Sequence, residues 1–240
     1  MCYFIIKSSD GFVYVFYVSV TNLIGHPRRI YQMSKILETM KDNYIFAVIR
    51  GKTAEDGFEI AKASVAGGIK NLELTFSTPD AAKVMTDLVE EYKNDETVVV
   101  GAGTVMTLEL AKEAHEAGAK FLVSPHYSAE IAEFAKEVDT FYMTGTGTVT
   151  EVVTAMNAGC EIIKVFPGGI LGSGFIKDVH GPIPEAQLMP SGGVSLDNIA
   201  EWKANGAVAV GVGSALSRDV AEKGYESVTE NAKEFVSKIK

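Results

Sequence analysis

The run Ala158-Gly159-Cys160-Glu161-Ile162-Ile163-Lys164-Val165-Phe166-Pro167 decides the fold. A glycine suited to ending a helix is followed at once by a short apolar, β-branched stretch of strand character, and one ammonium sits inside it. The same punctuation recurs along the chain. Thr53-Ala54-Glu55-Asp56 opens a helical segment that Gly67-Gly68 closes, and Ala117-Gly118-Ala119 and Asn205-Gly206-Ala207 each stand just before another apolar run. From Tyr44 onward such runs alternate with amphipathic stretches of about a dozen residues, the rhythm of repeated βα units around a parallel sheet. The expected strands are Tyr44 to Arg50, Asn71 to Thr75, Val98 to Gly101, Phe121 to Ser124, Thr140 to Thr144, Ile162 to Phe166, Gln187 to Pro190 and Val208 to Val212. About eight strands of this kind make a (β/α)8 TIM barrel, an α/β fold in a single domain. The structural alternative is a doubly wound open sheet, usually marked by a glycine-rich dinucleotide turn after its first strand. Arg50-Gly51-Lys52-Thr53 is neither that turn nor a P-loop.

At 240 residues and 47% hydrophobic, the chain is long and apolar enough to bury a sizeable core. Its formal charge of -9 is spread over short clusters without a basic stripe. Nucleic acid therefore finds no electrostatic footprint, and an anionic substrate needs local donors. Cys2 and Cys160 lack C-x-x-C spacing and fit a reduced, cytoplasmic protein. Phe12 to Val20 is aromatic and β-branched, suited to a strand or hairpin arm. It lacks a basic leader, a cleavage site and the roughly 18 uninterrupted apolar residues of a bilayer span, so neither a signal peptide nor a membrane partner is expected. Met33 looks like a natural domain start. Residues 1–32 are read either as an N-terminal extension or as the product of a start assigned too far upstream, and 33–240 as the barrel.

The C-terminal ends of barrel strands converge on one face and build the active site. Here those ends carry Arg50, Glu73 with Thr75, Thr104, Ser124-Pro125, Thr144-Gly145, Lys164 with Phe166, Ser191-Gly192-Gly193 and Gly213-Ser214. A lysine walled in by apolar sequence is suited to condense with a ketone as a Schiff base; the plain alternative is a strand-end lysine that snorkels to water. In Asn71-Leu72-Glu73-Leu74-Thr75, alternation puts Glu73 and Thr75 on one face and the leucines on the other. Glu73 and Lys164 then either form a structural ion pair or supply what aldol chemistry needs, an amine and a carboxylate that carries protons. Gly101-Ala102-Gly103-Thr104-Val105 is a tight turn whose backbone and Thr104 hydroxyl can approach a small carboxylate. The glycines of Pro190-Ser191-Gly192-Gly193-Val194 and Gly211-Val212-Gly213-Ser214-Ala215-Leu216 expose N–H donors at the seventh and eighth strands, where barrels often bind phosphate. None of His26, His115, His126 and His180 stands at a metal-ligand spacing with Asp, Glu or Cys, so no metal is expected.

Together these residues resemble the 2-keto-3-deoxy-6-phosphogluconate (KDPG) and 4-hydroxy-2-oxoglutarate (KHG) aldolases, a family of class I lyases on a (β/α)8 barrel. The resemblance spans about residues 35–240. It rests on Ala47-Val48-Ile49-Arg50, Glu73-Leu74-Thr75-Phe76, Gly101-Ala102-Gly103-Thr104-Val105, Ser124-Pro125-His126, Lys164-Val165-Phe166-Pro167 and the two glycine loops above, all in order. It implies that Lys164 is the Schiff-base lysine, Glu73 the acid/base carboxylate, Thr104 the hydroxyl holding the pyruvate carboxylate and Phe166 the ring beside the imine. It also implies a phosphate site of Ser191, Gly192, Gly193 and Ser214, joined here by Gly213, with Arg50 near the mouth and Thr75 beside Glu73. No cofactor and a homotrimer are implied as well. Ser77 stands where many members carry an arginine that helps bind the substrate acid, and a galactonate-type relative also lacks it.

The expected activity is cleavage of a phosphorylated keto-deoxy sugar acid, 2-keto-3-deoxy-6-phosphogluconate, into pyruvate and glyceraldehyde 3-phosphate. The same machinery would cleave 4-hydroxy-2-oxoglutarate to pyruvate and glyoxylate. The 6-phosphogalactonate counterpart is an alternative substrate. Further alternatives are a phosphate-binding barrel isomerase or epimerase without a covalent intermediate, and a non-catalytic sugar-phosphate sensor.

Overall fold

A computed structural model of the protein describes residues 2–7, 13–18 and 27–240. Contacts divide the chain into two units, Met1–Glu38 and Thr39–Lys240. In the first, β1 (Cys2–Lys7) and β2 (Val13–Val18) pair antiparallel with Cys2 opposite Val18, so Val13–Val18 of the run expected as a strand or hairpin arm forms one, while Phe12, Ser19 and Val20 lie outside the described residues. Helix α1 spans Pro27–Asn43.

The second unit is the barrel. Its strands are β3 (Ile45–Ile49), β4 (Asn71–Thr75), β5 (Val99–Gly103), β6 (Phe121–Ser124), β7 (Phe141–Thr146), β8 (Ile163–Val165), β9 (Leu188–Pro190) and β10 (Val210–Val212), paired in the order β10-β3-β4-β5-β6-β7-β8-β9. All these pairings are parallel, and a parallel bridge between Ser191 and Gly211 draws the two free edges together. Between the strands lie α2 (Ala54–Ala66), α3 (Ala81–Glu91), α4 (Leu108–Glu116), α5 (Ala129–Glu137), α6 (Val149–Asn157), α7 (Gly168–Leu171), α8 (Gly174–His180) and α9 (Ile199–Ala204). After β10 come α10 (Ser214–Ser217), α11 (Val220–Lys223) and α12 (Glu226–Ile239).

The sequence dictates these helices locally. Thr53, Thr107, Ser128 and Thr148 each accept a backbone N–H three residues on, capping α2, α4, α5 and α6. Glu55, Glu109, Glu130 and Glu151 in the first turns complement the helix dipole.

Alternation then sorts each strand into two faces. Ile45, Ala47 and Ile49 of β3 and Leu72 and Leu74 of β4 join the continuous apolar layer shared with the helices. Each fully buried leucine of that layer contributes about 1.5–3 kcal/mol. The other face points inward. Phe46 of β3 meets Phe121 of β6 edge-on, with ring centroids 5.3 Å apart, although two strands separate β3 from β6 in the sheet. That contact crosses the barrel interior and plugs it. Among the described residues no helix is long and apolar enough to cross a membrane.

Candidate active site

One pleat repeat beyond the Phe46 layer, strand register sets Val48 beside Glu73 and Glu73 beside Gly101. Lys164, on β8, pairs with Gly145 of β7 and Met189 of β9. Three strands separate β4 from β8, yet Lys164 Nζ lies 3.5 Å from Glu73 Oε1. The two side chains, 6% and 1% exposed, meet inside the barrel, as alternation along β4 requires. Lys164 does not snorkel to water.

The pair is poorly built as a stabilising ion pair. Moving each charge out of water costs several kcal/mol, and only close, multiply bonded geometry repays that. Here the single contact is at the outer limit of a hydrogen bond, and among the described residues Glu73 Oε2 has no hydrogen-bond partner. A buried acceptor without a partner marks a group held ready for something else. Gly103 makes the room, because a Cβ there would lie 2.5 Å from Glu73 Oε1. The ring of Phe166 stands beside the amine, 5.5 Å from Nζ to its centroid.

Phe166 also leads outward. It lines an open cavity of about 330 Å³ together with Val48, Arg50, Ser191, Gly192, Gly193, Ser195, Gly213, Ser214 and Arg218. The Phe166–Pro167 peptide is cis, and the following Gly168 N–H donates to the Ser191 carbonyl, tying the β8 and β9 loops together. Gly193, at φ 81°, lies so close to Gly169 that a Cβ would come within 2.6 Å of its Cα. Only glycine fits there. The cavity thus presents hydroxyls, glycine backbone and two guanidiniums, the donor set of an anion site.

The structure therefore gathers Lys164, Glu73 and Phe166 at one point, and Arg50, Phe166, Ser191, Gly192, Gly193, Gly213 and Ser214 around one cavity. Thr75 and Thr104 do not line that cavity. The buried Thr75 hydroxyl donates to the Ile49 carbonyl at 2.8 Å, and at 2.6 Å it therefore accepts from Ser77 Oγ. Thr104 holds φ 57°, a left-handed backbone that a non-glycine residue keeps only where its surroundings impose it, often at functional sites. Ser124, grouped with the mouth in the sequence, instead donates its hydroxyl to the Val105 carbonyl. Cys160 is buried and its thiol is pushed up to about 11 by that burial, so it is no nucleophile at neutral pH. Arg218 and Ser195 line the cavity without having been singled out in the sequence. For Arg218 a signal was present: it follows Ser214 by four residues through a helical turn, which puts both on one face.

A parallel (β/α)8 barrel holding a water-shielded lysine against a carboxylate, with an anion cradle at the strand ends, defines a class I aldolase. The family model for KDPG and KHG aldolase matches residues 36–230. A 2-dehydro-3-deoxy-phosphogluconate aldolase of Treponema pallidum is 30% identical over 200 residues, covering 82% of this chain and 94% of its own length. A 2-dehydro-3-deoxy-6-phosphogalactonate aldolase of Escherichia coli is 28% identical over 193 residues, covering 80% and 92%. Among solved structures, KDPG aldolase from Legionella pneumophila, with pyruvate captured as a covalent carbinolamine, superposes with a TM-score of 0.74 at 27% identity, covering 81% of this chain and 95% of that one. The chain belongs to the KDPG and KHG aldolase family.

Proposed function

We propose that the barrel, residues 33–240, cleaves 2-keto-3-deoxy-6-phosphogluconate to pyruvate and glyceraldehyde 3-phosphate, with residues 1–32 as an extension outside the chemistry. The carrying observation is the Lys164–Glu73 contact across the barrel interior, with Glu73 Oε2 left without a partner among the described residues. Lys164 gives a proton to Glu73 and its free amine attacks the C2 ketone; Glu73 then returns that proton to the departing hydroxyl, which leaves as water as the carbinolamine becomes an iminium. Glu73 then takes the C4 hydroxyl proton while the C3–C4 bond breaks and its electrons flow into the iminium. The aldehyde leaves. The remaining enamine is protonated at C3 and hydrolysed to pyruvate and free Lys164. Thr104 and Thr75 border the pyruvate end, and the glycine cavity holds the phosphate. Cleavage of 4-hydroxy-2-oxoglutarate follows the same steps without using that cavity.

Borohydride added with pyruvate should fix a pyruvyl group on Lys164, read as a mass gain on its peptide, and Lys164→Met should lose both the label and turnover. Full labelling or turnover in that variant would refute the mechanism; failure of the unaltered chain to label would favour the isomerase or epimerase reading, and ligand-induced stabilisation without turnover would favour the sensor.

Ser77 favours a second reading, the 6-phosphogalactonate substrate: the family resemblance implies an arginine here in many members but not in a galactonate-type one, and the Ser77 hydroxyl is bonded to Thr75. Assaying both sugar acids side by side decides which C4 configuration the site accepts. We also propose a cytoplasmic homotrimer. Ile170 at 84% exposure and Met106, Val149 and Val153 at 40–46% are apolar surface that a second copy would cover. Sedimentation equilibrium reads this, and a monomer at micromolar concentration overturns it.

A further inference from the structure

We infer that Arg218 is a second, mobile guanidinium of the phosphate cradle and sets the preference for phosphorylated over unphosphorylated substrates. The inference rests on the phosphorylated-substrate reading above. Arg50 and Arg218 line the same cavity from different elements, Arg50 directly after β3 and Arg218 at the C-terminus of α10. Their settings differ. Arg50 Nη1 stands 3.2 Å from where a Gly213 Cβ would be, so that glycine makes space for a guanidinium lodged against the β10 loop. The Arg218 side chain is 65% exposed, and its Nε reaches Asp219 Oδ2 only at 3.9 Å. Such an exposed, single-point pair holds an arginine weakly.

Asp219 does not depend on Arg218. The same oxygen lies 3.6 Å from Lys223 Nζ, so the carboxylate keeps a cation when Arg218 turns toward the cavity. The ligand chemistry needs that turn. A phosphate monoester carries close to two negative charges at neutral pH, which one guanidinium does not balance. A chain with a net charge of -9 repels such an anion at long range, so positive charge must be concentrated at the entrance. A planar guanidinium also matches two phosphate oxygens at once, which an ammonium does not.

The test uses the full chain and its Arg218→Ala and Arg218→Lys variants. For each, the ratio of kcat/KM for 2-keto-3-deoxy-6-phosphogluconate to that for 4-hydroxy-2-oxoglutarate is measured, and inorganic phosphate is titrated by calorimetry. Arg218→Ala should lower the ratio about 10- to 100-fold through KM, with phosphate affinity falling in parallel and Arg218→Lys recovering only part of both. An unchanged phosphate affinity in Arg218→Ala overturns the inference whatever the enzyme turns over. If the phosphorylated substrate is not cleaved by the unaltered chain, the substrate reading fails instead, and the phosphate titration alone still decides Arg218.

Discussion

The amine–carboxylate centre and the glycine-lined cavity are joined by one ring, Phe166, and are built on opposite principles. Lys164 and Glu73 are side chains on strands, nearly sealed from water, and joined across the interior by one loose contact. The cavity is open, and its donors are loop backbone, short hydroxyls and two arginines. The difference follows from what each must do. Proton and electron movement gains from a dry, preorganised interior, where charge interactions are strong and no solvent need reorganise. Holding a strongly hydrated phosphate needs many donors and a way in, and backbone N–H groups supply donors that cannot be mutated away. Damage at the first region should therefore appear in turnover, and damage at the second in affinity.

The most severe test of that division is Glu73→Gln, which keeps the shape and removes the proton carrier. Turnover should fall about 10²- to 10⁴-fold while the fold persists and KM for the phosphorylated substrate changes little. Full-speed turnover would reduce Glu73 to a structural partner of Lys164.

A matched pair of glycine substitutions sharpens the contrast. In Gly103→Ala the new methyl would sit 2.5 Å from Glu73 Oε1 and 2.7 Å from its Cγ, so the carboxylate must move. A displacement approaching an ångström should lower kcat about 10²-fold with the affinity for inorganic phosphate preserved. In Gly193→Ala the methyl meets Gly169 backbone at 2.6 Å on a residue at φ 81°. That variant should weaken phosphate about tenfold and lose about 1 kcal/mol or more of stability, with a smaller loss in kcat. If both variants lost kcat and affinity alike, the two regions would be one.

How legible each region was in the sequence differs in the same way. Strand interiors obey a period of two, so Glu73, Thr75 and Lys164 could be assigned a face, and the eight strands differ from expectation chiefly at their ends. β7 runs on to Thr146 and β5 to Gly103, because glycine in a run written as a loop signal pairs as well as any residue when a neighbouring strand is present. The Lys164–Glu73 encounter followed from barrel closure. Loop residues have no period. The capture of Ser124 by Val105 and the Ser77–Thr75 contact depend on backbone paths that composition does not encode, whereas Arg218, one helical turn after Ser214, was within reach of a reading.

The smallest expected effect lies on the rim that supports Phe166. Gly147 follows β7, and its Cα faces the Phe166 carbonyl closely enough that a Cβ would stand 3.4 Å from it. The Glu151 carboxylate fixes this loop, accepting the Gly147 N–H and the Thr148 hydroxyl at 2.9 Å each, while Thr148 Oγ1 accepts the Glu151 N–H. The arrangement is a capping box, and those hydrogen bonds hold the Glu151 carboxyl below the usual carboxylate range. Because the folded pKa is depressed, the charge contributes stability above the ordinary carboxylate pKa and loses it as pH falls through the folded value. Glu151→Gln should thus cost about 0.5–1 kcal/mol at neutral pH, read from urea midpoints, and the gap to the unaltered chain should close on acidification below that range. Its kcat should stay within about twofold, since a loosened rim leaves Lys164 and Glu73 in their strands. A large loss of turnover would instead tie the rim, through Phe166, into the chemistry, and the division between a sealed reacting centre and an open binding cavity would have to be redrawn.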